Sequence, residues 1–157
     1  MDTFVQRVVT NRVLPSTGWL AACALALVFL SSARGVSEAS LDTVGSFALG
    51  GVGVAGTMSA GERALREVLK QPDAVARLEA MLPNASPAGK LYALLGLRVR
   101  DRAAYERALE KCRSLEATVE TARGCMLSRE SFGDLVKEIE RGQYDTFLDR
   151  KWPAQSR

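Results

Sequence analysis

The 157-residue sequence contains no histidine. That excludes Ser-His-Asp and Cys-His catalysis, in which an imidazole carries the proton, and zinc sites that depend on imidazole ligands. It also removes the side chain most used as a general base near neutral pH. Ser-x-x-Lys, Gly-x-Ser-x-Gly and His-Glu-x-x-His are likewise missing. Cysteine is sparse at three residues, too few for a thiolate metal site. A strong charge of one sign is lacking as well. The 21 basic and 18 acidic residues leave a net +3, which makes no electrostatic case for nucleic acid.

What is present begins at the N-terminus. Arg7 and Arg12 precede an apolar run from Gly18 to Leu30, and the small-x-small triplets Ala33-Arg34-Gly35 and Ser37-Glu38-Ala39 follow it. Basic, then apolar, then small is the order of a secretory signal peptide, so residues 1–39 are expected to be cleaved on export. The rival is an uncleaved anchor over the uncharged span 13–33, whose first turn is spoiled by Pro15. Leu20-Ala21-Ala22-Cys23 spells a lipobox, although the apolar segment continues past Cys23 and favours an ordinary position within the leader. Removing 39 of 157 residues leaves 118, one modest domain. Arg7, Arg12, Arg34, Asp2 and Glu38 leave with the leader, so the charge falls from +3 to +2.

Beyond Ser59 the chain reads as short amphipathic helices. Ser59 and Glu62 form a capping-box pattern, and Ala64, Leu65, Val68 and Leu69 share one face. Pro72 suits the first turn of a second helix, with the stripe Val75, Leu78, Met81 and Leu82. Ser86-Pro87 opens a third, with Leu91, Tyr92, Leu94 and Leu95 inward, and Asp101 caps a fourth carrying Ala104, Tyr105, Ala108, Leu109 and Cys112. A last helix starts near Ser128 or Ser131, buries Phe132, Leu135, Val136 and Ile139, and stops at Gly142. Between Leu115 and Ser128 a short β-hairpin turning at Arg123-Gly124 and an extension of the helix both fit.

Gly51, Gly53 and Gly56 have the G-x-G-x-x-G spacing of a dinucleotide-binding turn. That fingerprint needs a second strand ending in an acidic residue about 20 positions on. Around Asp73 and Glu79 the sequence is helical instead, and no P-loop lysine follows the glycines. No cofactor is therefore expected. Residues 40–60 read as a glycine-rich lead-in whose Val44, Phe47, Leu49, Val52 and Val54 want cover.

Cys112 and Cys125 are the two cysteines left after cleavage, and an even count in an exported domain predicts a disulfide between them. The charged runs Arg98, Arg100, Arg102 and Glu138, Glu140, Arg141 read as solvated helix faces. Carboxylates are plentiful, so a histidine-free Asp/Glu hydrolase stays open as a rival, with no pair singled out by context.

The blocks FALGGVGVAGTMSAGERAL (47–65) and AGKLYALLGLR (88–98) resemble stretches of exported bacterial proteins that have no assigned activity. The resemblance implies export and a small helical domain, weakly like HEAT or TPR arrays, and assigns no residue a role. Together these readings predict a mainly α fold of short antiparallel helical hairpins over 61–148, with room for a small hairpin at 117–127 and a tail over 149–157. The function they favour is a non-catalytic interaction or structural module of the cell envelope, with a protein partner, no nucleic acid, and membrane contact only through the N-terminal segment.

Overall fold

The computed structural model describes residues 40–149. The leader or anchor over 1–39, Cys23 and the tail beyond Asp149 lie outside them. Among the described residues no helix is long and apolar enough to cross a membrane.

The fold is built around helix α3, Pro87–Arg100. Its start is local chemistry: the Ser86 hydroxyl accepts the Gly89 N–H at 3.0 Å, and Pro87 loses nothing at the first turn, where its missing N–H has no intrahelical acceptor. Leu91, Tyr92, Leu94 and Leu95 are buried as their spacing predicts, but so are Ala93, Gly96 and Leu97. This helix is covered on all sides by α1 (Ala60–Leu69), α2 (Ala74–Met81), α4 (Arg102–Cys112), α5 (Phe132–Glu140) and the sheet. The uncharged run 91–97 is what permits this. Each buried leucine contributes about 1.5–3 kcal/mol of apolar transfer. At Gly96 a Cβ would lie 2.8 Å from Leu78 and 2.9 Å from Leu65, so its small size sets how closely α1 and α2 approach.

The other helices mostly begin where the capping residues indicate. Ser59 caps α1, and Asp101 alone separates α3 from α4, its carboxylate accepting from Ala103 and Ala104 N–H. Helix α2 starts at Ala74, later than Pro72 suggests, with no side-chain cap from Asp73. Helix α5 follows Ser131 and ends before Gly142, whose φ of +75° suits a C′ residue. A further short helix, α6 (Asp145–Asp149), has no counterpart in the sequence reading.

A mainly helical fold needs correcting. The protein is mixed α/β, with a three-stranded sheet in the order β1-β2-β3. Strands β2 (Thr118–Gly124) and β3 (Met126–Ser131) form the hairpin, and the alternative helix extension is not what the chain adopts. Gly124, with φ +60°, occupies the first position of the two-residue turn, where primed turns need a positive φ. The larger departure is β1 (Ser46–Val52), which lies inside the glycine-rich lead-in and pairs parallel with β2. Phe47 and Leu49 are buried, and the pairing shifts register between Ala48 and Val52, where Gly50 and Gly51 both take positive φ. The lead-in is thus one edge of the sheet. Parallel pairing follows because the four helices of the crossover lie between the two strands in sequence.

Candidate interaction surface

The two edges of the sheet are treated differently. The outer edge of β1 is closed by helix side chains. Tyr92 Oη, rising from α3, accepts the Ala48 N–H at 2.9 Å and donates to the Ala48 carbonyl at 2.8 Å. Ser59 Oγ donates to the same carbonyl at 2.7 Å, and the Gly50 N–H reaches Glu62 Oε2 at 2.9 Å. Glu62 is fully buried and ion-paired to Arg66 at 2.8 Å. The capping box is therefore half made: Ser59 accepts the Glu62 N–H, while the Glu62 carboxylate serves β1 and Arg66. Burial pushes the Tyr92 hydroxyl above its ordinary value, against the opposing pull of its Ser59 and Ala48 hydrogen bonds.

Strand β3 forms the opposite edge, and five of its six residues are exposed. Gly53 and Gly56 of the G-x-G-x-x-G stretch build a turn at the end of β1. Val52 and Thr57 exchange backbone hydrogen bonds at 2.8 and 3.0 Å, and Gly53 and Gly56, both at positive φ, close the loop between them. Gly53 N–H donates to the Gly124 carbonyl at 2.9 Å, which fastens this turn to the hairpin turn. One end of the sheet consequently displays Val54 at 99% exposure, Leu127 at 86% and Met126 at 73%. Of the large hydrophobic residues exposed among the described residues, only Val99 lies elsewhere.

The disulfide expected between Cys112 and Cys125 is not formed: both thiols are free. Cys112 is buried at the end of α4 and lines a groove with Phe132, which immediately follows the pair Thr118–Ser131 at the base of the hairpin. Cys125 is exposed in the turn at the other end. The intervening strand spans roughly 17–20 Å at about 3.4 Å per residue, whereas bridged Cα atoms lie within about 7 Å. The chain does fold back at Arg123-Gly124, but that turn carries Cys125 away from Cys112.

Two charged residues read as solvated are structural. Arg98 pairs with Asp145 at 3.2 Å and ties α3 to α6. Glu138 meets Arg123 at 2.8 Å and also accepts from Tyr144 Oη. Glu130 meets the same guanidinium at 3.3 Å and accepts from Thr121 at 2.7 Å. Glu130 and Glu138 thus meet at one guanidinium, that of Arg123, which ties β2 both to β3 and to α5.

Two concavities accompany these features. The groove between α4 and α5, about 290 Å³, has Leu109, Cys112, Phe132 and Val136 as its apolar lining. A smaller one of about 190 Å³ lies between the sheet and α6, against Phe47, Thr121, Arg123, Tyr144 and Phe147. Among the described residues no cluster of three metal-ligating side chains occurs. No family model, curated protein or solved structure matches the chain.

Proposed function

We propose that the chain is exported and works outside the cytoplasm as a non-catalytic interaction module of the cell envelope, with the open end of its sheet as the contact surface. The observation that carries this reading is the exposure of Val54 on the turn after β1 and of Met126 and Leu127 at the start of edge strand β3, at the end of the sheet where the two turns are joined. Exposed apolar groups at a bare strand edge invite association, and folded proteins ordinarily blunt such edges. Here β1 is blunted by Tyr92, Ser59 and Glu62, while β3 keeps Leu127 in the open. Export rests on the order of basic, apolar and small residues in the leader.

The test is fractionation of producing cells combined with a photo-crosslinking residue placed at Leu127 or, as a control, at exposed Arg77 on α2. The expected result is a protein outside the cytoplasm, its intact mass separating a cleaved from a retained leader, with adducts from position 127 and none from 77. A full-length cytoplasmic product would sink the export half. Absence of adducts at 127 would sink the contact surface.

A further inference from the structure

The concavity between the sheet and α6 is walled by three aromatic rings. Phe47 and Tyr144 meet edge-on at 5.2 Å between centroids, and Tyr144 and Phe147 lie 6.4 Å apart. The rest of its lining includes Gly50, Gly51 and Gly124, which offer bare backbone, and the Arg123 side chain. Phe147 shows what such backbone accepts: its ring lies against Gly50, where a Cβ would collide with it. Rings and a guanidinium are surfaces on which a flat aromatic group packs, by edge or offset contacts and by cation–π attraction. The volume of about 190 Å³ is small for a drug-sized ligand and suits a single ring system.

We propose that this cavity seats the indole of the chain's own Trp152. Helix α6 brings the chain to the site. Phe147 lines the cavity, and Arg66 holds the Phe147 and Leu148 carbonyls beside Glu62, which itself accepts the Gly50 N–H. Trp152 follows Asp149 by three residues, a reach of at most about 10–11 Å. Among residues 150–157 it is the one large apolar side chain. The residues before it, Arg150 and Lys151, are basic, while Glu130 and Glu138 share the single guanidinium of Arg123 at the cavity wall and leave that trio net negative. Attachment adds to this match. A short tether holds its group at an effective concentration on the order of millimolar. A free ligand of the same chemistry would therefore have to bind far more tightly to displace it. Neither the cavity nor its occupant relies on the contact surface proposed above.

The experiment is fluorescence of the natively produced protein in a Trp19→Phe background, which leaves Trp152 as the single indole. Its emission should lie to the blue of N-acetyltryptophanamide, and acrylamide should quench it several-fold less. The position of the ring is read from Cys125, which is exposed and follows Gly124 on the cavity wall. A nitroxide on Cys125 should quench Trp152 strongly. The same label on Arg77→Cys in α2, in a Cys125→Ser background, should not. Trp152→Ala should lower the melting temperature, and millimolar N-acetyltryptophanamide should restore part of the loss while leaving the wild type unmoved. Emission and quenching equal to those of the free amide, or an unchanged melting temperature in Trp152→Ala, would overturn the proposal. So would a shielded ring quenched as well from 77 as from 125, because it would then lie outside this cavity. A blue shift lost on dilution would assign the cavity to another chain's tail and refute the tethered seat.

Discussion

Tyr92 Oη is hydrogen-bonded to both backbone groups of Ala48, accepting at 2.9 Å and donating at 2.8 Å, and this single hydroxyl stands where a neighbouring strand would otherwise pair. The ring beneath it packs on Phe47 at 4.8 Å between centroids, so one side chain covers both the apolar face of β1 and its edge. Replacing it by phenylalanine keeps the ring and leaves the Ala48 N–H without its acceptor. Ser59 still serves the carbonyl. The expected loss is about 1–3 kcal/mol, the cost of a buried donor left unpaired, read from denaturant midpoints with an unchanged slope. A Tyr92→Phe protein as stable as wild type would show that the edge needs no cap.

The same ring is approached from α1. A Cβ on Gly61 would fall 2.4–2.7 Å from the Tyr92 ring and hydroxyl, in a contact buried on both sides. Gly61→Ala usually helps a helix, since alanine is the better helix former by about 1 kcal/mol. Here overpacking should reverse the sign, with a net destabilisation of about 1–3 kcal/mol. Thermal melts decide it: a raised melting temperature would mean that α1 and α3 are free to separate.

All three tyrosines of the chain are buried. Burial pushes the hydroxyls of Tyr92, Tyr105 and Tyr144 above the ordinary 10.0, with the nearby Glu140 carboxylate adding to it at Tyr105 and the hydrogen bond to Glu138 at Tyr144. Burial likewise raises the Cys112 thiol above its usual 9.0. With folded values above unfolded ones, the native state holds protons that the unfolded chain has released, so stability falls as pH rises. It should be level in this respect below about pH 9, decline as Cys112 enters its window, and steepen above about pH 10. Absorbance titration should show tyrosinate appearing together with loss of ellipticity. Reversible tyrosinate formation near pH 10 with the circular dichroism intact would contradict the burial of these groups.

The cysteines give an independent check on the hairpin. With Cys125 exposed at the turn and Cys112 at 5% exposure with its thiol raised by burial, alkylation of the reduced native protein should modify Cys125 rapidly and Cys112 only as the fold opens. Peptide mapping identifies them, and Cys125 should carry the fast label. Equal rates, or an intrachain bridge recovered from the native protein without oxidant, would place the two residues closer than the hairpin allows.

Much of this architecture is legible in the sequence because its causes are local. Ser59, Ser86 and Asp101 act on N–H groups two or three residues away, and Thr118, Val119 and Thr121 before Arg123-Gly124 specify a hairpin within a few residues of the turn. Strand β1 is harder to read. Two of its seven residues are glycines, which weaken strand propensity, and its partner β2 arrives only after four helices. The Cys112–Cys125 pairing failed for a related reason: a count of thiols says nothing of which way the hairpin runs. The candidate surface is less legible still. Leu127 and Met126 look like ordinary strand residues, and Tyr92 and Glu62 look like a core residue and half a capping box. Which edge is closed and which is bare emerges only when α1 and α3 are laid against β1.

Helix α6 offers a last test, since no residue within it is fully buried and Arg66 holds it alongside the Arg98–Asp145 pair. The Arg66 guanidinium donates to Glu62 at 3.0 Å, to the Leu148 carbonyl at 3.1 Å and to the Phe147 carbonyl. One planar fork thus joins a buried carboxylate to two backbone acceptors, a geometry that the point charge of lysine does not reproduce. Both Arg66→Ala and Arg66→Lys should loosen α6. Hydrogen bonds to charged groups contribute about 1.5–3 kcal/mol, so amides of 145–149 should exchange roughly ten- to a hundredfold faster than in the wild type. Amides in the middle of α3 should change less, because Leu91, Leu94 and Leu95 keep their cover. Equal acceleration in α3 and α6 would make Arg66 a contributor to the whole fold. No acceleration in α6 would show that the Arg98–Asp145 pair and the packing of Phe147 and Leu148 against the core hold the helix without Arg66.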